Sequence, residues 1–159
     1  MGERHPLFAP ASLGALTLRN RVVMASMTTR HADPEGFVTE NTRRYYQARA
    51  RGGVGLITVE MASPEKVGRH RHNELGIYDD RFLEGLTSLV DVIHAEGAKA
   101  SIQLGHGGGH TRIDICGEIP IAPSAVVHSV HEGHTELIVP QAMTADRVTE
   151  TQSSFVAAA

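Results

Sequence analysis

A chain of 159 residues with 41% hydrophobic and 21% charged residues is long enough to bury a domain-sized core. Its formal net charge of -3, with 15 dispersed lysines and arginines, argues against nucleic acid or an anionic membrane surface as a partner. The apolar stretches fall far short of a bilayer span, Met1 to Pro6 lacks a signal-peptide core, and the lone Cys116 excludes an internal disulfide or a Cys-rich metal site, so a cytoplasmic, reducing compartment is expected.

Leu13 to Leu18 reads as a hairpin arm around Gly14, placed to plug one end of a sheet. Arg21 to Ala25 is the first core strand and runs into Ser26-Met27-Thr28. Thr39 to Arg51 combines strong helix formers with a Thr39 cap and closes at Gly52-Gly53. Leu56 to Val59 is apolar on both faces, as a strand covered on both sides must be, and ends in Glu60-Met61. After a loop rich in charge and histidine, Pro64 to Asn73, a helix begins at Asp79-Asp80. Its apolar positions Phe82, Leu83, Leu86, Leu89, Val90 and Ile93 recur at helical spacing, and Gly97 ends it. Lys99 to Ile102 is the third strand and runs into Gln103-Leu104-Gly105-His106. Gly105 to Pro140 is a long loop expected to cover a pocket, and Thr144 caps a last helix in which the chain stops.

Strands alternating with helices predict a parallel sheet with its ligand off the carboxyl ends of the strands, so the three terminal clusters face one pocket. A (β/α)8 barrel takes roughly 250 residues and eight strands. Three βα units with two open edges therefore read as a fragment, a cleavage product or one part of a two-chain barrel. From residue types alone, Ser26-Met27-Thr28 also reads as a strand end with a core methionine, Met61 as core filler and Gln103 as a solvated amide. His106, His110, His128, His131 and His134 with Glu132 and Glu136 have a composition compatible with metal ligation, but they sit in a Gly-rich loop rather than on a helix that would fix their faces, and no metal site is assigned. Gly105 to Gly109 fails as a phosphate fingerprint, because His110 occupies the last glycine place of GxGxxG and no Lys-Ser/Thr follows.

Five segments in order, LRNRVVMASMTT (18–29), RARGGVGLITVE (49–60), GIYDDRFLEGL (76–86), HAEGAKASIQLGHGG (94–108) and PIAPSA (120–125), resemble the N-terminal half of the old yellow enzyme, or NADH:flavin oxidoreductase, family. Ser26-Met27-Thr28 is similar to the 2,4-dienoyl-CoA reductase branch, and QLGHGGGH (103–110) to the amine dehydrogenases of the same superfamily. The resemblance implies an α/β fold, the first half of an FMN-binding (β/α)8 TIM barrel with an N-terminal hairpin and three βα units. Residues 1–159 would be that half, ending within the helix that starts near Thr144. It also implies NAD(P)H-dependent reduction of an activated C=C bond of a small molecule through flavin N5, with amine oxidation as the alternative reaction. A non-catalytic subunit completing a partner, or a histidine-loop metal binder, is the alternative of another class.

Ser26, Met27, Thr28, Met61 and Gln103 are the implied flavin-binding residues. Gln103 can supply both donor and acceptor to the ring edge, and the Thr28 hydroxyl a donor near O4. Glu60 reads as a structural acceptor for backbone donors. Departures from the family are Gly109 where arginine is common, the absence of cysteine between Met24 and Asp33, which excludes covalent flavin there, and the absence of an aromatic ring at Met61, which disfavours a methylated ammonium substrate. The catalytic acid and the flavin phosphate loops are expected in the remainder of the barrel, and an oligomer is expected.

Overall fold

The computed structural model describes residues 5–128 and 137–159. A 3-10 turn at Pro6–Phe8 leads into an antiparallel hairpin, β1 (Ala11–Leu13) and β2 (Leu16–Leu18). The next residue fastens this hairpin to the amino end of the sheet. The Arg19 guanidinium donates to the carbonyls of Ala50 (2.5 Å), Val54 (2.8 Å) and Glu96 (2.7 Å). Two of these carbonyls lie at helix C-termini, where a cation opposes the negative end of the dipole.

The first core strand, β3 (Val23–Met24), is shorter than its β-branched run predicts. The Val22 amide donates to the Asn20 side chain (3.0 Å), and its carbonyl accepts from both Gly55 and Leu56, so regular pairing starts one residue later. Helix α1 (Glu40–Arg51) begins where Thr39 predicts, with the Thr39 and Thr42 hydroxyls capping each other's backbone amides. Strand β4 (Leu56–Ser63) is central, paired in parallel with β3. A short strand not anticipated from the sequence, β5 (Leu75–Gly76), pairs in parallel with the end of β4.

Asp79 caps a 3-10 turn, Asp80–Phe82, rather than the helix itself, and α2 (Leu83–Ala95) follows it. Gly97, at φ +80°, makes the left-handed exit that a side chain would oppose. Strand β6 (Lys99–Leu104) pairs with the other edge of β4, so the order β3-β4-β6 is an all-parallel sheet with α1 and α2 on one face. Met24, Ile57 and Val59 meet Tyr46, Ala50, Leu89 and Ile93 in that core. Among the described residues the outer edges of β3 and β6 carry no strand partner, so the sheet is a partial barrel wall.

The described residues of the segment expected as one long loop include regular elements. Among these are α3 (Ile113–Cys116) and β7 (Ile121–Ala122), which pairs in parallel with β8 (Gln141–Ala142), and Cys116 and Ile121 form a second small core with Val67 and Met143. Helix α4 (Ala145–Ala158) follows its Thr144 cap. No helix of the described residues is long and apolar enough to cross a membrane.

One carboxylate ties α4 to the loop after β4. Glu65 accepts from Arg147 (2.7 and 3.0 Å), from the Ser154 hydroxyl (2.8 Å) and from His106 Nε2 (3.2 Å). Burial pushes the Glu65 carboxyl up, but the hydrogen bonds and charge of Arg147 more than offset it and hold the group below its usual range. Burial is also the main cause that holds His106 below the usual imidazole value, against the opposing pull of Glu65. The imidazole is therefore neutral at pH 7, donating at Nε2 and accepting the Gly108 amide at Nδ1 (2.9 Å).

Both groups take up protons less readily folded than unfolded. Their contribution is complete above about pH 6.5 and is lost as the pH falls, first through His106 and then through Glu65. The melting temperature should accordingly fall between pH 7.5 and pH 5, measured by calorimetry. His106→Gln should flatten that upper limb while leaving the loss near pH 4 in place.

Candidate functional site

The carboxyl ends of β3, β4 and β6 open on the sheet face opposite the helices. Along β6 the residues alternate, with Lys99, Ser101 and Gln103 exposed on this inner face and Ala100, Ile102 and Leu104 half-buried toward the helices. The inner face is polar at its centre, where the Ser101 hydroxyl donates to the Thr58 hydroxyl (2.9 Å).

Two residues further toward the mouth, the Ser26 hydroxyl donates to Gln103 Oε1 at 2.6 Å. β3 and β6 are two strand spacings apart, about 9.6 Å. A side-chain bond between residues at their ends shows that the sheet curves as a barrel wall does. The register of β4 against β6 shifts between Val59 and Ala62, opposite Gln103, and such an irregularity adds to the bend.

Met61 lies at this bend and packs on Gly105. A Cβ at Gly105 would sit 2.1 Å from the Met61 sulfur, so only glycine allows the close approach. Met27, 51% exposed, and Thr28, also exposed, lie on the connection leaving Ser26. The structure thus brings Ser26 to Gln103 directly, sets Met61 beside Gly105 two residues beyond, and leaves Met27 and Thr28 facing solvent at the same mouth.

Glu60 anchors that connection. It is fully buried, and its carboxylate accepts the Thr29 amide (2.7 Å), the Thr29 hydroxyl and the Arg30 amide (3.4 Å). Its own backbone amide donates to the Tyr46 phenol (2.7 Å), whose pKa burial pushes well above the ordinary value. Glu60 is therefore the acceptor its position at the end of an apolar strand suggests. Tyr46 and Thr29 carry no sequence signal for this role, since a tyrosine on a helix and a threonine in a loop are common.

The histidines divide. His106 binds Glu65, while His110 lies between His70 (ring centroids 5.1 Å) and His128 (5.0 Å, stacked). His131, His134, Glu132 and Glu136 fall outside the described residues. Among the described residues no group of three or more potential ligands converges as a metal site.

The arrangement is a polar barrel mouth with an exposed carboxamide held by a hydroxyl. The sequence profile of the NADH:flavin oxidoreductase / NADH oxidase family matches residues 6–159, and the chain belongs to that family. It is 39% identical over 152 residues to an NADPH dehydrogenase of Halalkalibacterium halodurans, covering 95% of this chain and 42% of that protein. An NADH oxidase of Thermoanaerobacter brockii is 36% identical over 155 residues, covering 96% of this chain and 23% of that one. The old yellow enzyme homologue of Zymomonas mobilis superposes with a TM-score of 0.85 at 28% identity, over 98% of this chain and 44% of its own. The chain spans less than half the length of each of these proteins.

Replacing Glu60 by glutamine puts an amide N–H2 among donors and removes the charge from their hydrogen bonds. Glu60→Gln should cost about 3 kcal/mol of stability, read from the denaturant midpoint.

Proposed function

We propose that this chain is the N-terminal half of a (β/α)8 flavin oxidoreductase that uses NAD(P)H to reduce an activated carbon–carbon double bond of a small molecule. The observation that carries the reading is the Ser26–Gln103 bond at the mouth of a family-typical sheet. With its oxygen engaged by Ser26, the Gln103 amide has its N–H2 left to donate to the carbonyl-bearing edge of an isoalloxazine ring. The Thr28 hydroxyl is a second exposed donor and Met27 offers an apolar contact, with Met61 packed on Gly105 at the same mouth. This donor set fits FMN. When bound there, FMN supplies hydride chemistry at N5. Relatives named NADPH dehydrogenase and NADH oxidase support a nicotinamide electron donor.

The remaining barrel segments supply the catalytic acid and the phosphate-binding loops in this reading. Two features of the chain suit such a completion. The edges of β3 and β6 are open, and an apolar groove of about 390 Å³ lined by Leu83, Leu86 and Val90 of α2 with Ala100 and Ile102 of β6 lies on the helix side, away from the mouth. The end of α4, at Ala157 and Ala158, lines a second hollow together with the same Leu83 and Leu86.

In the complete protein, Gln103→Ala should weaken FMN binding about tenfold, the loss of one to two hydrogen bonds, in a flavin fluorescence titration. Unchanged affinity would remove Gln103 from the site. Residues 1–159 expressed alone should self-associate through the open edges in light scattering. A monodisperse, cooperatively melting monomer would contradict the half-barrel reading.

A further inference from the structure

The loops after β3 and β4 meet above the mouth, and each holds one strained residue. Arg30 and Asn73 are the non-glycine residues with positive φ among those described, both at 60°. That conformation costs of order 1 kcal/mol and persists only where neighbours impose it, most often at functional sites. Glu60 holds the Arg30 amide, the Asn73 side chain donates to the Ala32 carbonyl (2.7 Å), and Arg30 Nε donates to the His72 carbonyl (3.4 Å). The two loops are therefore stitched together.

The stitching brings the Arg30 guanidinium against the backbone of the segment that carries Arg71. The Arg30 guanidinium rests against the peptide one residue beyond Arg71, and Arg71 Nη1 lies 3.5 Å from His110 Nε2 on the loop after β6. Among the described residues no carboxylate pairs with either guanidinium. The acids nearby are engaged: Glu74 accepts the His70 and Arg71 amides, and Asp114 binds Arg112 (2.8 Å) with His72 at 3.6 Å. Arg69 differs, being buried and bonded to the carbonyls of Pro34, Glu35 and Glu74, so it serves the fold.

We propose that Arg30 and Arg71 together bind the carboxylate of an anionic substrate at this mouth. The inference rests on the reading above that a small molecule is reduced there. Guanidinium forks match a carboxylate in a bidentate way, and two guanidinium groups with no carboxylate partner among the described residues are suited to an external anion. The neighbouring Ser26–Gln103 bond and the exposed Met27 would then face the remainder of the same substrate's binding space, so that the charge at the rim sets which end of the molecule enters first.

The test compares monomethyl fumarate with dimethyl fumarate, which share the reacting double bond and differ by one charge, on the complete FMN-loaded protein. Arg30→Gln, Arg71→Gln and the double variant are measured by kcat/KM and by calorimetric binding of each ester. Flavin absorbance and melting temperature verify folding, and Arg71, whose backbone is unstrained, guards against a folding defect at Arg30. The proposal predicts at least a tenfold loss for the monoanion in the double variant, with the diester changed less than about twofold and Arg30→Lys recovering part of the loss. Equal effects on both esters, or none on either, would overturn it. So would weaker FMN binding with unchanged discrimination, which assigns the pair to a phosphate. If neither ester is reduced yet the variants still lose monoanion binding selectively, the reaction assigned above fails while the anion site stands.

Discussion

A single buried carboxylate holds the mouth of this sheet together. Glu60 sits where β4 shifts register against β6, and from there it accepts hydrogen bonds from the segment that leaves β3. An unpaired acid at zero exposure would be costly, and here the cost is met by three donors from a segment only a few residues beyond Ser26. The placement of Ser26 against Gln103, the exposure of Met27 and Thr28, and the left-handed turn at Arg30 all follow from where Glu60 pins that segment. The opposite end of the sheet has its own clamp in Arg19, which gathers the last carbonyls of α1 and α2. Between the two lies a parallel ladder whose helix side is apolar and whose inner side is polar.

Much of this was legible in the sequence wherever one local pattern decided the outcome. The apolar run before Glu60 marks a strand, Thr39 a helix start and Gly97 a helix end, and all three elements stand as read, although the inner face at Thr58 is polar rather than covered by apolar residues. The candidate residues Ser26, Met61 and Gln103 lie at the ends of parallel strands for the same reason, because βα alternation fixes which end faces the ligand.

What escaped depends on pairs distant in sequence. Asn20 trims β3 by taking the Val22 amide, a competition that β propensity does not register. Leu75–Gly76 is too short to show alternation, and it is a strand only because the end of β4 is there to pair with it. The Glu65 cluster draws on His106 and on Arg147, 82 residues away, so no spacing rule finds it. Arg30 and Arg71, which have no carboxylate partner among the described residues, sit within stretches whose charge reads as ordinary solvated surface until the two loops are seen to meet.

The central proposal is that a flavin ring seats against the ends of β3, β4 and β6. The most direct test is hydrogen–deuterium exchange on the complete protein with and without FMN. The account predicts slowed exchange at 26–30, 61–62 and 103–105 together, with α2 and its apolar groove unchanged. Protection confined to other segments, or none at these three strand ends, would contradict it.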